Sequence, residues 1–218
     1  MPIDAWTRRG FDDWLAEGAT GAARMIAKLV PQRLCMSEVA PLPWLAADEL
    51  RADIAPALEA SEEFMRSPVW RSQPAETGAW ARQQQNPRLG DISHRGLAGR
   101  LLARLIELAD FPARLRALAE GGPCSSWVRG AQAAPGVGIS AVETARGTLV
   151  HCVALEGDKV AKWRIVAPTE WNFHPAGAFS RGLTGIEART EAGARRAATL
   201  FAHALDPCVG FEVAIEHA

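Results

Sequence analysis

Residues 138–172 read GISAVETARGTLVHCVALEGDKVAKWRIVAPTEWN, and this stretch decides the fold. The runs 138–145 and 148–155 have the β-branched and small-residue composition of strands. Glu156-Gly157-Asp158-Lys159 carries the turn chemistry of a hairpin. In the strand that follows, Trp163 and Ile165 fall on one face and Lys162 and Arg164 on the other, because strand side chains alternate with a period of two. Pro168 cannot donate to a ladder and ends the strand. The expectation is a small, mostly antiparallel sheet of strands 138–145, 148–155 and 159–167.

Upstream of Gly136 the pattern is helical. Phe11, Trp14 and Leu15, then Met25, Ile26 and Leu29, recur at helical spacing. Another helical region starts after Leu45, runs towards Met65 and stops at Pro68. Residues 71–95 are polar and rich in turn formers, and read as an ordered loop that carries contacts. Leu97, Leu101, Leu105 and Leu108 mark one face of a strong helix, with Pro112 set to kink or restart it. Gly121-Gly122-Pro123 closes this half. Downstream, residues 188–204 read as an alanine- and arginine-rich helix broken by Pro207 just before Cys208. Helices, then strands, then a helix give the α+β class.

A chain of 218 residues can bury a real core. The formal net charge is −1 and the basic residues are dispersed, so neither nucleic acid nor an anionic membrane surface is indicated as a partner. The first residues contain no apolar core of a secretory signal, and no apolar run reaches the length of a membrane helix. Cys35, Cys124, Cys152 and Cys208 are widely spaced, without a CxxC pair. Free thiols and a cytoplasmic location are the expectation.

Five segments resemble, in order, the C-terminal part of the nickel–iron hydrogenase large subunit. SPVWRSQPAETGAWAR, from Ser67 to Arg82, is similar to that family's aPRYxGxPxEVGPLAR, and SHRGLAGRLLARLIE, from Ser93 to Glu107, to its SxLGRxxARxxE helix. GISAVETARGTLVH, ending at His151, resembles GxxEAPRGxLxH; KWRIVAPTEWN, ending at Asn172, resembles YxxVxPTTWN; ALDPC, ending at Cys208, resembles the start of FDPCxxC. The resemblance spans about residues 60–210. It divides the chain into a helical N-terminal segment, 1–60, and a large-subunit-like domain, 61–218.

The departures set the functional expectation. The family's metals are held by four thiolates, and only Cys208 remains among the C-terminal pair: Phe211 stands at the bridging position and Ala214 at the terminal histidine. One thiolate cannot make a sulfur-rich nickel cage. By resemblance, Arg146 and Thr169 match the donors to the iron's two cyanides, Leu149 the neighbour of its carbonyl, and Asp206 the carboxylate near the metals. Ala145 and Ala167 trim the walls. Cyanide nitrogens accept hydrogen bonds, so a guanidinium and a hydroxyl are suitable partners. The resemblance therefore implies an accessory of the HupK or HoxV kind. It would be a scaffold and not an enzyme, and would take a transient Fe(CN)2(CO) unit, with Cys208 as metal ligand and without nickel. The hydrogenase large-subunit precursor and Hyp-type maturation proteins would be its partners.

Each residue also has a plainer reading. Cys208 could be a small buried thiol, Arg146 a structural partner of Glu143 or Asp206, and Thr169 a turn hydroxyl. Cys35, in RLCMSE, is a second thiolate candidate. Cys152 follows His151 in a strand, so the two point to opposite faces, and a core role is favoured. Arg82, Arg100, Arg104 and Glu107 form a structural charge network, with Arg104 and Glu107 three apart on one helix face. The remaining alternatives are an interaction-only relict with an empty pocket and a minimal hydrogenase fragment.

Overall fold

The computed structural model describes residues 8–30, 35, 37–89, 96–122, 127–184 and 186–216. The chain begins with α1 (Arg8–Glu17) and α2 (Gly21–Leu29). Next come β1 (Ala40–Pro41) and α3 (Ala47–Glu49), which runs through a π-helical turn, Leu50–Ile54, into α4 (Ala55–Ala60). Then follow α5 (Glu63–Arg66), β2 (Ala75–Glu76), α6 (Ala79–Gln83) and the long α7 (Leu97–Ala119). Four strands form the antiparallel sheet: β3 (Val128–Ala134), β4 (Val137–Thr144), β5 (Gly147–Glu156) and β6 (Lys159–Val166), in the order β3-β4-β5-β6. The described chain closes with α8 (Pro168–Asn172), α9 (Ala178–Leu183), α10 (Glu191–Leu205) and an extended tail. The class is α+β.

The expected sheet is present, with the hairpin turn at Gly157-Asp158. Three expectations need correction. The stretch 71–95, read as a loop, holds β2 and α6 within its described part, elements too short to show a periodic signal. The sheet has a fourth strand, β3, whose sequence VRGAQAA offers little apolar alternation because it is an edge strand with every second residue exposed. Helix α7 is not restarted at Pro112 but runs through it to Ala119. A proline removes one N–H and crowds the carbonyl four residues back, and α7 carries that cost without breaking.

One face of the sheet is apolar. Ile139, Ala141, Val150, Cys152 and Val166 pack there against Leu42, Leu45, Leu50, Ile54, Leu58 and Trp171. A second cluster joins α1, α2 and α6 to Leu102, Ala103 and Ile106 of α7, and a third joins Leu97 and Ala98 to α9 and α10. The first half of α7 thus serves both helical clusters.

Where these layers meet lies a buried ion pair. Arg100 and Glu76 have side chains only 1% exposed. The Arg100 guanidinium grips both carboxylate oxygens of Glu76, with Nε donating to Oε1 at 2.8 Å, and Nη2 donates to Ser37 Oγ at 3.0 Å. Phe201 and Trp80 lie against the guanidinium, at 5.1 and 5.8 Å. Because each charge left alone in the core is costly, Glu76→Gln should lower the unfolding free energy by about 3–5 kcal/mol, whereas the paired replacement Glu76→Leu with Arg100→Met should lose less. Urea titrations followed by tryptophan fluorescence check this; a double variant less stable than the single one would contradict it.

Candidate functional site

Arg146 sits in the two-residue turn between β4 and β5, and the Thr77-Gly78 segment that follows β2 braces that turn from behind. Gly147 has φ +130°, and a Cβ there would lie 2.4 Å from Thr77 Cγ2. Gly78 has φ +103°, and a Cβ there would come within 2.9 Å of the Arg146 carbonyl oxygen. Only glycine allows this approach. The Thr148 N–H donates to Thr77 Oγ1 at 2.9 Å. The Thr77 hydroxyl donates to Thr148 Oγ1, which in turn donates to Glu143 Oε2 at 2.9 Å. Burial pushes the Glu143 carboxyl up, and Arg82 opposes that shift.

Arg82 fixes the turn from the other side. Its Nε and Nη2 bind both oxygens of Glu107, at 2.7 and 2.8 Å, while Nη1 pairs with Glu143. The same guanidinium donates to the Thr144 and Ala145 carbonyls, at 3.1 and 3.2 Å. The expected charge network is therefore real but wired differently. Glu107 is taken by Arg82 in a bidentate fork, which matches guanidinium to carboxylate better than an i,i+3 contact does. Arg104 turns to α10, where Nη1 donates to the His203 carbonyl at 2.8 Å.

Helix α10 ends in Asp206, whose φ and ψ of 56° and 60° are left-handed. Its N–H closes on the Ala202 carbonyl at 3.0 Å, and Pro207 then prevents another turn. Cys208 is thereby presented from a bend, exposed. The Asp206 carboxylate lies 3.3 Å from Arg104 and 3.8 Å from Arg146. Both pairs are substantially exposed, so each is worth roughly 0–1 kcal/mol and opens easily.

From α8, Thr169 reaches the same bend. The Cys208 N–H donates to Thr169 Oγ1 at 3.3 Å, and Oγ1 lies 3.3 Å from Cys208 Sγ. With its oxygen accepting from the backbone, the hydroxyl hydrogen is free to serve sulfur or a ligand. Thr169, Asp206, Cys208 and Arg146 therefore form one cluster linked through the Asp206–Cys208 bend. Leu149 is only half-buried in β5, on the opposite face from buried Thr148 and Val150.

Sequence reasoning missed the residue that registers these segments. Asn172, 2% exposed, accepts from the Thr77 N–H through Oδ1 at 2.9 Å and donates to the Leu205 carbonyl at 3.4 Å. It spans the loop behind Arg146, the helix of Thr169 and the residue before Asp206. The motif resemblance included Asn172 as its last residue but assigned it no role, and nothing in sequence spacing reveals its burial. Arg104 was missed as a site residue because Glu107 looked like its partner.

The enclosed space among Gly78, Arg100, Arg104, Arg146 and Asp206 is about 20 Å³. That is about enough for one water. Anything larger does not fit inside it. Among the described residues no group of three or more His, Cys, Asp or Glu side chains could hold a metal. Phe211 stacks edge-on to His203 at 5.1 Å. Cys35 is a core thiol: it is 3% exposed, its Sγ meets the Ala197 carbonyl at 3.9 Å, and burial pushes its pKa up to about 11. Cys152 is buried and likewise raised by burial, while His151 accepts from Trp163 Nε1 at 2.9 Å. Cys124, His94 and His217 lie outside the described residues.

Comparison with known proteins gives this arrangement its context. Residues 123–211, which include all five site residues, match the nickel-dependent hydrogenase family. The fold is similar to the nickel–iron–selenium hydrogenase of Desulfovibrio vulgaris Hildenborough, with a TM-score of 0.52 and 20% identity, covering 65% of this chain and 36% of that one. The class is thus a protein with the fold of part of a nickel-dependent hydrogenase. Among curated relatives, HupK of Rhizobium leguminosarum bv. viciae is 36% identical over 82% of this chain and 48% of its own length. HoxV of Cupriavidus necator is 36% identical over 84% and 49%. HupK of Azotobacter vinelandii is 36% identical over 100% and 54%. All three are named hydrogenase expression/formation proteins. The chain is a homologue of these HupK/HoxV-type proteins and spans about half the length of the curated relatives it matches. No helix among the described residues is long and apolar enough to cross a membrane.

Two outcomes follow from the geometry. At pH 8, iodoacetamide should modify Cys208 at least about tenfold faster than Cys35 or Cys152, because the latter two are buried and protonated. Peptide mapping by mass spectrometry reads the three sites; rapid labelling of Cys35 would contradict its placement in the core. Asn172→Leu should orphan the Thr77 N–H and the Leu205 carbonyl, at about 1–3 kcal/mol per group. It should also change the Cys208 labelling rate, which an equally destabilising Ile54→Ala should leave alone.

Proposed function

We propose that this chain is an accessory scaffold in hydrogenase maturation that carries or receives an Fe(CN)2(CO) unit as cargo before it reaches the hydrogenase large subunit. The observation that carries this reading is the meeting of Cys208 with Thr169, at 3.3 Å, beside the loosely paired Arg146 and Asp206. The names of the homologous proteins support a role in hydrogenase formation.

The residues suit such a cargo. An exposed thiol supplies one soft ligand to iron. The Thr169 hydroxyl can donate to a cyanide nitrogen or to the metal-bound sulfur. Arg146 is held to Asp206 weakly enough to turn towards a bound anion, where a charge-assisted bond is about twice as strong as a neutral one. One thiolate on an open surface holds the unit without enclosing it, as handing it on requires. The partners in this reading are the large-subunit precursor and Hyp-type maturation proteins. In this reading nickel has no place, because the bend offers one cysteine and Phe211 has no ligating atom, and the chain acts as a scaffold rather than as a hydrogenase.

A second reading is favoured by the 20 Å³ cavity, which is too small for the iron unit. In it the pocket is a relict and the protein works by docking alone. Hydrogenase activity and soluble accessory protein, both measured in cells carrying each variant, separate the two. Cys208→Ser and Arg146→Ala should each lower partner maturation at unchanged soluble level, since serine keeps the size and loses the thiolate character. Cys152→Ser should act through stability, because a buried hydroxyl there needs a partner. Maturation equal to wild type in both site variants would leave docking alone.

A further inference from the structure

Among the described residues, the part of α7 beyond Asp110 belongs to none of the three core clusters and not to the site. Every residue from Phe111 to Glu120 is exposed. Leu108, Phe111, Leu115 and Leu118 are 67%, 56%, 50% and 43% exposed, and their spacing of three, four and three lines them up on one face. Behind them run Ala109, Ala113 and Ala117. A continuous apolar stripe of this length is the kind of helix face that is normally covered. Alone this segment would be marginal, being short and carrying Pro112. Yet it is properly terminated. Gly121 is left-handed at φ +79°, its N–H bonds the Leu118 carbonyl at 3.1 Å, and the Gly122 N–H bonds the Ala117 carbonyl at 2.8 Å.

The charges around the stripe decide what covers it. Glu107 and Asp110, at its near end, are neutralised by Arg82 and Arg88. Arg114 borders one side, where its charge also acts on Glu107 and Asp110, and Arg116 borders the other; neither forms a salt bridge among the described residues, and Glu120 stands at the tip. A second copy is a poor occupant. The spacing reads the same in both directions, so two copies could pair antiparallel, Leu108 on Leu118 and Phe111 on Leu115. That register sets the two Arg114 guanidinium groups against each other, a like-charge contact.

We infer that the distal half of α7 is a docking helix for another protein, and that the partner presents an amphipathic helix with an apolar stripe bordered by carboxylates. Leu108, Phe111, Leu115 and Leu118 fill the partner's groove, and Arg114 and Arg116 meet its acidic rims. The inference is independent of whether Cys208 carries iron.

The test uses the full chain and two fluorescein-labelled synthetic helices. Both carry leucines at three-four-three spacing, one with glutamate borders and one with lysine borders, and fluorescence anisotropy follows binding. The glutamate helix should bind at least about tenfold more tightly than the lysine helix. Leu115→Glu should weaken both about tenfold or more, and Arg114→Glu with Arg116→Glu should reverse the preference. These side chains are exposed, so circular dichroism should be unchanged. No binding, or equal binding of the two helices, would overturn the proposal. So would sedimentation velocity showing a concentration-dependent dimer that Leu115→Glu abolishes, because the occupant would then be a second copy.

Discussion

The buried Arg100–Glu76 pair is the contact on which the arrangement of the molecule depends. It joins α7 to β2, and so to the Thr77-Gly78 segment that follows it, in a place where water cannot replace a lost partner. A charge in that position tolerates little displacement, because its desolvation is offset only while the fork geometry is kept. That segment is therefore held, and what leans on it is held too: the Gly147 backbone against Thr77, the Arg146 carbonyl against Gly78, and through Asn172 the end of α10.

From that fixed interior the restraint weakens outward. Glu76 and Arg100 are sealed, Arg82 and Glu143 are half-buried, and Arg146, Asp206 and Cys208 are at the surface. The backbone of the site is positioned by interactions that cannot easily break, while the side chains that would touch a cargo are held by ones that can. The proposed carrier role suits this combination: a turn and a bend in constant register, with an arginine and a thiol whose contacts, to Asp206 and Thr169, are exposed and open easily. A catalytic metal would need the reverse, several ligands fixed in a closed set.

Much of the sheet was legible because alternation in β4 to β6 and the turn at Gly157 are local signals. β3 was not, because an edge strand of glycine, alanine and glutamine packs little and so displays little pattern. The path of α7 through Pro112 was not legible either, because a proline inside a periodic run is the usual signal for a helix end or kink. For the site, the bend at Asp206 could be read from a helix meeting Asp-Pro, and the motif resemblance marked Thr169 and Cys208. Asn172, Thr77 and Arg104 stayed hidden because their roles arise from burial and long-range contacts that no spacing encodes. Arg104 shows the difficulty: Glu107 is three residues away on its own helix, yet Asp206 is its partner.

Infrared spectroscopy of the protein purified from cells that also make the hydrogenase maturation proteins tests the central claim most directly. An Fe(CN)2(CO) unit held at Cys208 would give cyanide and carbonyl stretching bands that co-purify with the chain and vanish in Cys208→Ser. A wild-type protein without those bands, or bands that survive Cys208→Ser unchanged, would contradict it.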